Sequence, residues 1–149
     1  MIQEFYEKLW SVIRSSKKLF YIYYDDRQSY ASLYNNIEIL NGLLENRLQQ
    51  KIIVYTEKSF ESYCALYAIL LSKNIWIPVS PDYPENRTIK AFELCQPDVI
   101  FTDRPLSKKL AIFADKNKCK VFDLQTTLKE TNPKRLILGE FEPNEIAYI

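Results

Sequence analysis

The sequence predicts an α/β fold, a doubly wound, mostly parallel sheet flanked by helices. Three observations carry that expectation. Short apolar runs suited to buried strands alternate with longer segments whose apolar residues recur every three or four positions. Alternating strands and helices of this length imply a parallel sheet covered on both faces. No internal repeat, low-complexity tract or linker breaks the alternation, so the 149 residues read as one α/β unit, 1–149, long enough for a real core.

Ile2, Phe5, Leu9 and Val12 have helical spacing and predict an amphipathic first helix. Leu19 to Tyr24 is a continuous apolar run closed by Asp25-Asp26, which predicts a strand buried on both faces followed by a turn. Tyr30, Leu33, Ile37, Leu40 and Leu44 form the stripe of a second helix, with Ser29 as its N-cap. Lys51 to Thr56 predicts the second strand. The next helix is capped by Ser59 and turns Phe60, Tyr63, Cys64, Tyr67 and Leu71 inward; Asn74 ends it in the left-handed conformation. Ile75 to Val79 predicts a third strand, with Pro78 confined to its end or to a bulge because it cannot donate to the ladder. Pro84 starts a helix that buries Ile89 and Phe92 and stops at Gln96-Pro97. Asp98 to Thr102 and Cys119 to Phe122 predict two more strands, separated by a helix opened by Pro105 and carrying Leu106, Leu110 and Phe113. Asp123 to Pro143 is mixed, with a short apolar run Leu136-Ile137-Leu138, and Ile146 to Ile149 reads as the opening of a strand.

Composition narrows the chemistry. Hydrophobic residues at 47% and charged residues at 26% are ordinary for a globular protein, and no apolar run approaches the ~20 residues of a membrane helix. The amino terminus is acidic and amphipathic, without the basic start of a signal peptide, so the expected location is cytoplasmic. A formal charge of +1 gives no electrostatic case for nucleic acid. Histidine is absent, which excludes histidine acid–base catalysis and histidine metal sites. There are 2 glycines, where average usage predicts about ten, so no glycine-rich phosphate loop can be built. Cys64, Cys95 and Cys119 form no CxxC pair and read as buried, reduced thiols. In open α/β sheets ligands bind beyond the carboxyl ends of the strands. Those ends, at Asp25-Asp26, Thr56-Glu57, Ser80-Pro81-Asp82, Thr102-Asp103 and Asp123, are acidic and unlike a phosphate cradle.

The most specific stretch runs from Leu70 to Arg87. A helix ends, a strand enters Pro78, and Pro81, Tyr83, Pro84 and Arg87 form a Pro-x-Tyr-Pro-x-x-Arg element that turns into the next helix. Residue by residue this resembles the adenylate-forming superfamily in its amino-acid-activating, carrier-protein-coupled branch, as in nonribosomal peptide synthetases. Gln28 to Leu33 resembles an earlier motif of that family, a Ser/Thr-Tyr-x-Glu-Leu helix start carried here by Ser29, Tyr30 and Leu33. The chain departs from the pattern at Ser32, where the family has Glu and a reciprocal capping box, and at Lys73-Asn74, where it has glycine. Asp82 and Glu85 have the spacing of a capping pair for the helix that follows. Arg87 falls in that helix's first turn, where the macrodipole disfavours a cation, so a partner carboxylate is expected for it, and a structural role rather than direct substrate contact for it and for Tyr83.

The resemblance implies the amino-terminal scaffold of an ATP-dependent ligase. Such an enzyme activates a carboxylic acid, here an amino acid, as acyl-adenylate and passes it to a carrier thiol. In the family, the strand resembling Asn144 to Ile149 leads into the Ser/Thr/Gly-rich loop with a lysine that cradles ATP. The chain is therefore expected to stop before that loop and to be inert alone, with no catalytic, cofactor-binding or metal-binding residue of its own. ATP and Mg belong to the complete enzyme, and the expected partners are the remainder of that enzyme and a carrier protein, not nucleic acid or membrane. Two alternatives share the fold: the equivalent part of an acyl-CoA synthetase, and a natural short binding module. A receiver-like signalling module is disfavoured, because Val79-Ser80 and Asp123-Leu124-Gln125 stand where its phospho-accepting Asp and its lysine belong.

Overall fold

The computed structural model describes residues 1–136, 138–142, 144 and 147. Twelve elements follow in order: α1 (Ile2–Ser15), β1 (Leu19–Tyr23), β2 (Asp26–Ser29), α2 (Tyr30–Leu43), β3 (Lys51–Tyr55), α3 (Phe60–Leu71), β4 (Ile75–Val79), α4 (Glu85–Cys95), β5 (Val99–Thr102), α5 (Lys108–Lys116), β6 (Lys120–Asp123) and α6 (Leu124–Glu130). Strands β4, β3, β5 and β6, in that spatial order, make a four-stranded parallel sheet. The predicted first strand is not part of it. Leu19–Tyr23 pairs antiparallel with β2 in a separate hairpin, turned at Tyr24 and Asp25, and Leu19, Ile22 and Tyr23 are exposed. An unbroken apolar run suits a strand buried on both faces, but it also suits an aromatic ribbon lying on a helix. Here Phe20 and Tyr21 rest on Phe60, Tyr63 and Tyr67 of α3.

Side chains alternate across the parallel sheet and split the core in two. Ile52, Val54, Val99 and Phe101 face α1, α2 and α3, joining Leu33, Ile37, Leu40, Cys64 and Ile69. Ile53, Ile77, Val79 and Ile100 face α4 and α5, joining Phe92, Leu110 and Ala114. The doubly wound reading holds for these four strands. In α1 the buried face is Tyr6, Leu9, Trp10 and Ile13. Ile2, Phe5 and Val12, expected inside, are exposed. Both stripes have helical spacing, and the one carrying the tryptophan is buried.

The caps explain the boundaries. Ser29 accepts from Ser32 N–H at 3.1 Å and starts α2 as expected, and the two hydroxyls share a hydrogen bond at 3.2 Å. Ser59 and Ser62 form a full reciprocal box at α3, at 3.2 and 3.0 Å. At the end of α3 the left-handed residue is Lys73, φ 61°, not Asn74. Asn74 takes the next position, where its N–H bonds to Ile69 O at 2.9 Å and its side-chain oxygen accepts from Gln50 N–H at 2.8 Å. Helix α5 is capped by Ser107 rather than opened by Pro105. Asp123 caps α6, a helix hidden in the mixed stretch, through Thr126 N–H at 2.8 Å.

Beyond α6 the chain crosses back over the helices. Lys134 N–H reaches Glu38 O at 3.2 Å, Leu136 is buried, and the Phe141 ring stacks on Tyr6 at 3.8 Å. Ile137 lies outside the described residues, as do Ile146, Tyr148 and Ile149 of the expected last strand; Ala147 O accepts from Trp76 N–H at 2.9 Å along the outer edge of β4. Successive N–H groups of a strand point to opposite edges. Pro78 is two residues past Trp76, so its missing donor also faces outward, and the β3–β4 register runs unbroken through it.

Candidate functional site at the carboxyl edge of the sheet

Strands β3, β4 and β5 end together in Thr56-Glu57, Ser80-Pro81-Asp82 and Thr102-Asp103. Between these ends and the hairpin lies an open groove of about 760 Å³, with Val54, Tyr63, Leu66, Trp76 and Pro78 among its lining. Tyr23, Asp82 and Tyr83 also line it.

The carboxylates at this edge are already engaged. Asp103 accepts from Glu57 N–H at 2.9 Å and from Arg104 Nε at 2.7 Å, while Arg104 also reaches Glu57 at 2.8 Å. The buried Thr102 hydroxyl donates to Arg104 O at 2.7 Å and accepts from Arg104 N–H. Hydrogen bonds that it donates to the Asp103 and then the Glu57 carboxylates push the Arg104 guanidinium still higher than its ordinary value, so it stays charged. This clamp ties the loops after β3 and β5 together. Its sequence signal was an acid at each of two strand ends with an arginine directly after one of them, and sequence reasoning passed over it.

The proline-rich element is arranged differently from its expectation. Ser80 Oγ accepts from Asp82 N–H at 3.2 Å and lies 3.4 Å from the Asp82 carboxylate, and Tyr83 N–H closes the turn onto Ser80 O. Asp82 therefore folds back instead of capping α4, whose N-cap is Pro84 without a side-chain cap. Glu85 does not pair with it either. It reaches Lys109 at 3.3 Å, and hydrogen bonds from Ser107 first and Lys109 second hold its carboxyl below the usual range. Arg87 has no ion-pair partner among the described residues. Its guanidinium lies 4.0 Å from the Tyr83 ring centroid, a cation–π stack in place of the expected carboxylate.

Of the motif residues, Pro78, Asp82 and Tyr83 line the groove, while Pro81 and Pro84 lie in the turn from β4 and Arg87 in the first turn of α4. Ser29, Tyr30 and Leu33 sit at the start of α2, with Leu33 fully buried and Tyr30 edge-on to Phe20 at 5.2 Å. Asp25 and Asp26 fall on the hairpin, while Asp123 ends β6 in register with Thr102 of β5 and caps α6.

The edge does not fit a nucleotide triphosphate with Mg. Glu57 and Asp103 are spent on the clamp, Asp82 turns back on Ser80, and Lys58 is the cation among the groove's lining residues. Among the described residues no group of three His, Cys, Asp or Glu is placed to hold a metal ion. No helix among them is long and apolar enough to cross a membrane.

Comparison with known proteins places these features. A family described as AMP-binding enzyme matches residues 10–149. Indigoidine synthase of Dickeya dadantii (strain 3937) is 30% identical over 96 residues, 62% of this chain and 6% of that protein. Nonribosomal peptide synthetase 7 of Aspergillus fumigatus is 27% identical over 127 residues, 83% of this chain and 5% of that protein. The chain thus spans only a small fraction of the curated relatives it matches. The Klebsiella oxytoca NpsA N-terminal subdomain in complex with 3-hydroxybenzoyl-AMSN superposes with a TM-score of 0.75 at 14% identity, over 99% of this chain and 36% of that one. The nonribosomal peptide synthetase FmoA3 gives 0.72 at 20% identity, over 99% of this chain and 16% of that one. At these identities the structures share the fold.

Proposed function

The chain belongs to the AMP-binding enzyme family, and from that premise we propose that it is the scaffold portion of an N-terminal subdomain in an ATP-dependent, adenylate-forming ligase. In this reading the complete enzyme activates an amino acid as acyl-adenylate and delivers it to a carrier thiol. The family match over residues 10–149 carries the proposal. The relatives named as nonribosomal peptide synthetases support the carrier-coupled branch, as does the fold shared with an artificially fused adenylation–carrier di-domain from Klebsiella oxytoca.

The part assigned to residues 1–149 is mechanical. The sheet and the Glu57–Asp103–Arg104 clamp hold the strand ends in register, and the Pro81–Arg87 turn leads β4 into α4. ATP and Mg would be bound by parts of the enzyme other than the carboxylates of this edge. Neither the substrate-acid pocket nor the carrier contact is assigned to a residue here.

Two measurements test the reading. The source gene, read past the codon for Ile149, should continue into a Ser/Thr/Gly-rich segment with a lysine, and the polypeptide it encodes should catalyse amino-acid-dependent exchange between ATP and pyrophosphate. The isolated chain should show no exchange and no change in melting temperature with millimolar Mg·ATP, because a ligand stabilises a fold only by binding it. A stop codon directly after Ile149, or a shift of several degrees with Mg·ATP, would refute the assignment and make the chain a short module with its own ligand.

A further inference from the structure

A second cavity, of about 400 Å³, opens between α1, α2 and the segment after α6, lined by Trp10, Arg14, Tyr34, Arg135, Leu136 and Leu138. It shares no lining residue with the groove at the strand ends. Its apolar wall is preformed. Trp10 is buried and its ring stacks on Tyr34 at 5.3 Å and 25°. The Tyr34 hydroxyl donates to Glu38 at 2.8 Å, and the same carboxylate oxygen accepts from Leu136 N–H at 3.2 Å, so one acid fixes both sides of the cavity without lining it.

The two formal charges on the lining are both positive. Arg14 comes from the last turn of α1 and Arg135 from a segment over a hundred residues later, and among the described residues neither forms an ion pair. Both act on the Tyr34 hydroxyl: the hydrogen bond to Glu38, then burial, raise its pKa, and the two arginines oppose the rise. Two like charges gathered on one concavity repel, and an anion between them relieves the repulsion and accepts charge-assisted hydrogen bonds. A guanidinium is also the side chain best matched to a planar oxyanion beside an aromatic wall.

We propose that this cavity is a binding site for a small aromatic carboxylate, the carboxylate held between Arg14 and Arg135 and the ring against Trp10, Tyr34, Leu136 and Leu138. The volume lies within the range of small-molecule sites. The site is separate from the strand-end groove and does not depend on the ligase reading.

The test uses the 149-residue chain with benzoate as probe. Trp10 fluorescence, isolated in a Trp76→Phe variant, should change saturably with benzoate, and the benzoate signals should broaden in NMR with the unaltered chain. Arg14→Gln and Arg135→Gln, both at exposed positions, should each weaken binding about tenfold. Benzyl alcohol, neutral and of similar shape, should not saturate either signal. No saturable response to benzoate, equal binding of benzyl alcohol, or undiminished binding by the double Gln variant would overturn the proposal. None of these results bears on the exchange assay, so the two readings fail separately.

Discussion

Replacing Lys118 by glycine should stabilise the protein, and replacing Lys73 should not. Both residues occupy the position just beyond a helix, with φ of 55° and 61°. Both helix ends close the same way: Cys119 N–H bonds to Ala114 O at 2.9 Å after α5, and Asn74 N–H to Ile69 O at 2.9 Å after α3. This is the position where glycine is most at home, and the chain has only 2 glycines, neither of them there. A side chain in the left-handed region costs roughly 1–2 kcal/mol. Glycine gives back about 0.5–1 kcal/mol through its freer unfolded chain. The difference leaves Lys118→Gly more stable by about 0.5–1 kcal/mol, or about 1–4 °C in melting temperature for a chain of this size. Lys118 is exposed and forms no ion pair among the described residues. Lys73 has work to do: its Nζ donates to Glu140 O and lies 5.7 Å from the Phe141 ring centroid, tying the final segment down. Its glycine variant should gain nothing or lose stability. Urea titrations of the two variants decide the matter, and equal gains, or a loss in Lys118→Gly, would refute the reasoning.

Burial pushes the Cys64 thiol up to about 12 from 9.0. The folded state therefore holds its proton where the unfolded chain releases it, so the stability is fully present below pH 9 and is lost at up to about 1.4 kcal/mol per pH unit from there towards 12; Cys64→Ala should flatten the stability slope between pH 9 and 10. Ser59→Ala breaks the reciprocal box of α3 and should cost about 1 kcal/mol in chemical denaturation. Pro78→Ala restores an outward N–H without touching the β3 ladder, so it should lose no more than about 1 kcal/mol, the part proline contributes through the unfolded chain.

The parallel sheet was legible because its central strands β3 and β5 are buried on both faces and all four strands are bounded by turn chemistry. Lys51–Tyr55, Ile75–Val79, Val99–Thr102 and Lys120–Asp123 all fall within a residue or two of their expected places. The stripe of α2 and the caps Ser29 and Ser59 were legible for the same local reason. The hairpin was not, because Asp26–Ser29 is polar and pairs through its backbone, leaving no apolar pattern to read. Helix α6 was missed because only Leu124 is buried in it. At the candidate site the turn residues were legible from their order, but their partners were not. Arg87 finds a ring four residues back, and Glu85 finds α5, because sequence spacing reports only neighbours on the same element.

The engaged carboxylates reconcile an acidic strand edge with membership in a nucleotide-using family. A free Glu57 or Asp103 at the mouth of the sheet would repel a polyphosphate; sharing Arg104, with Asp103 also bound to a backbone N–H, the pair is half neutralised and fastens two loops instead. The same economy holds at Asp82, whose carboxylate turns back on Ser80, and at Glu85, drawn off to Lys109. Facing the groove besides these are an apolar wall, Val54, Leu66, Trp76 and Pro78, and the polar Thr56, Lys58 and Ser62, beside an edge of β4 on which Ala147 already sits at Trp76. The apolar part of that surface offers area for the packing of further chain, and this supports the proposed scaffold role.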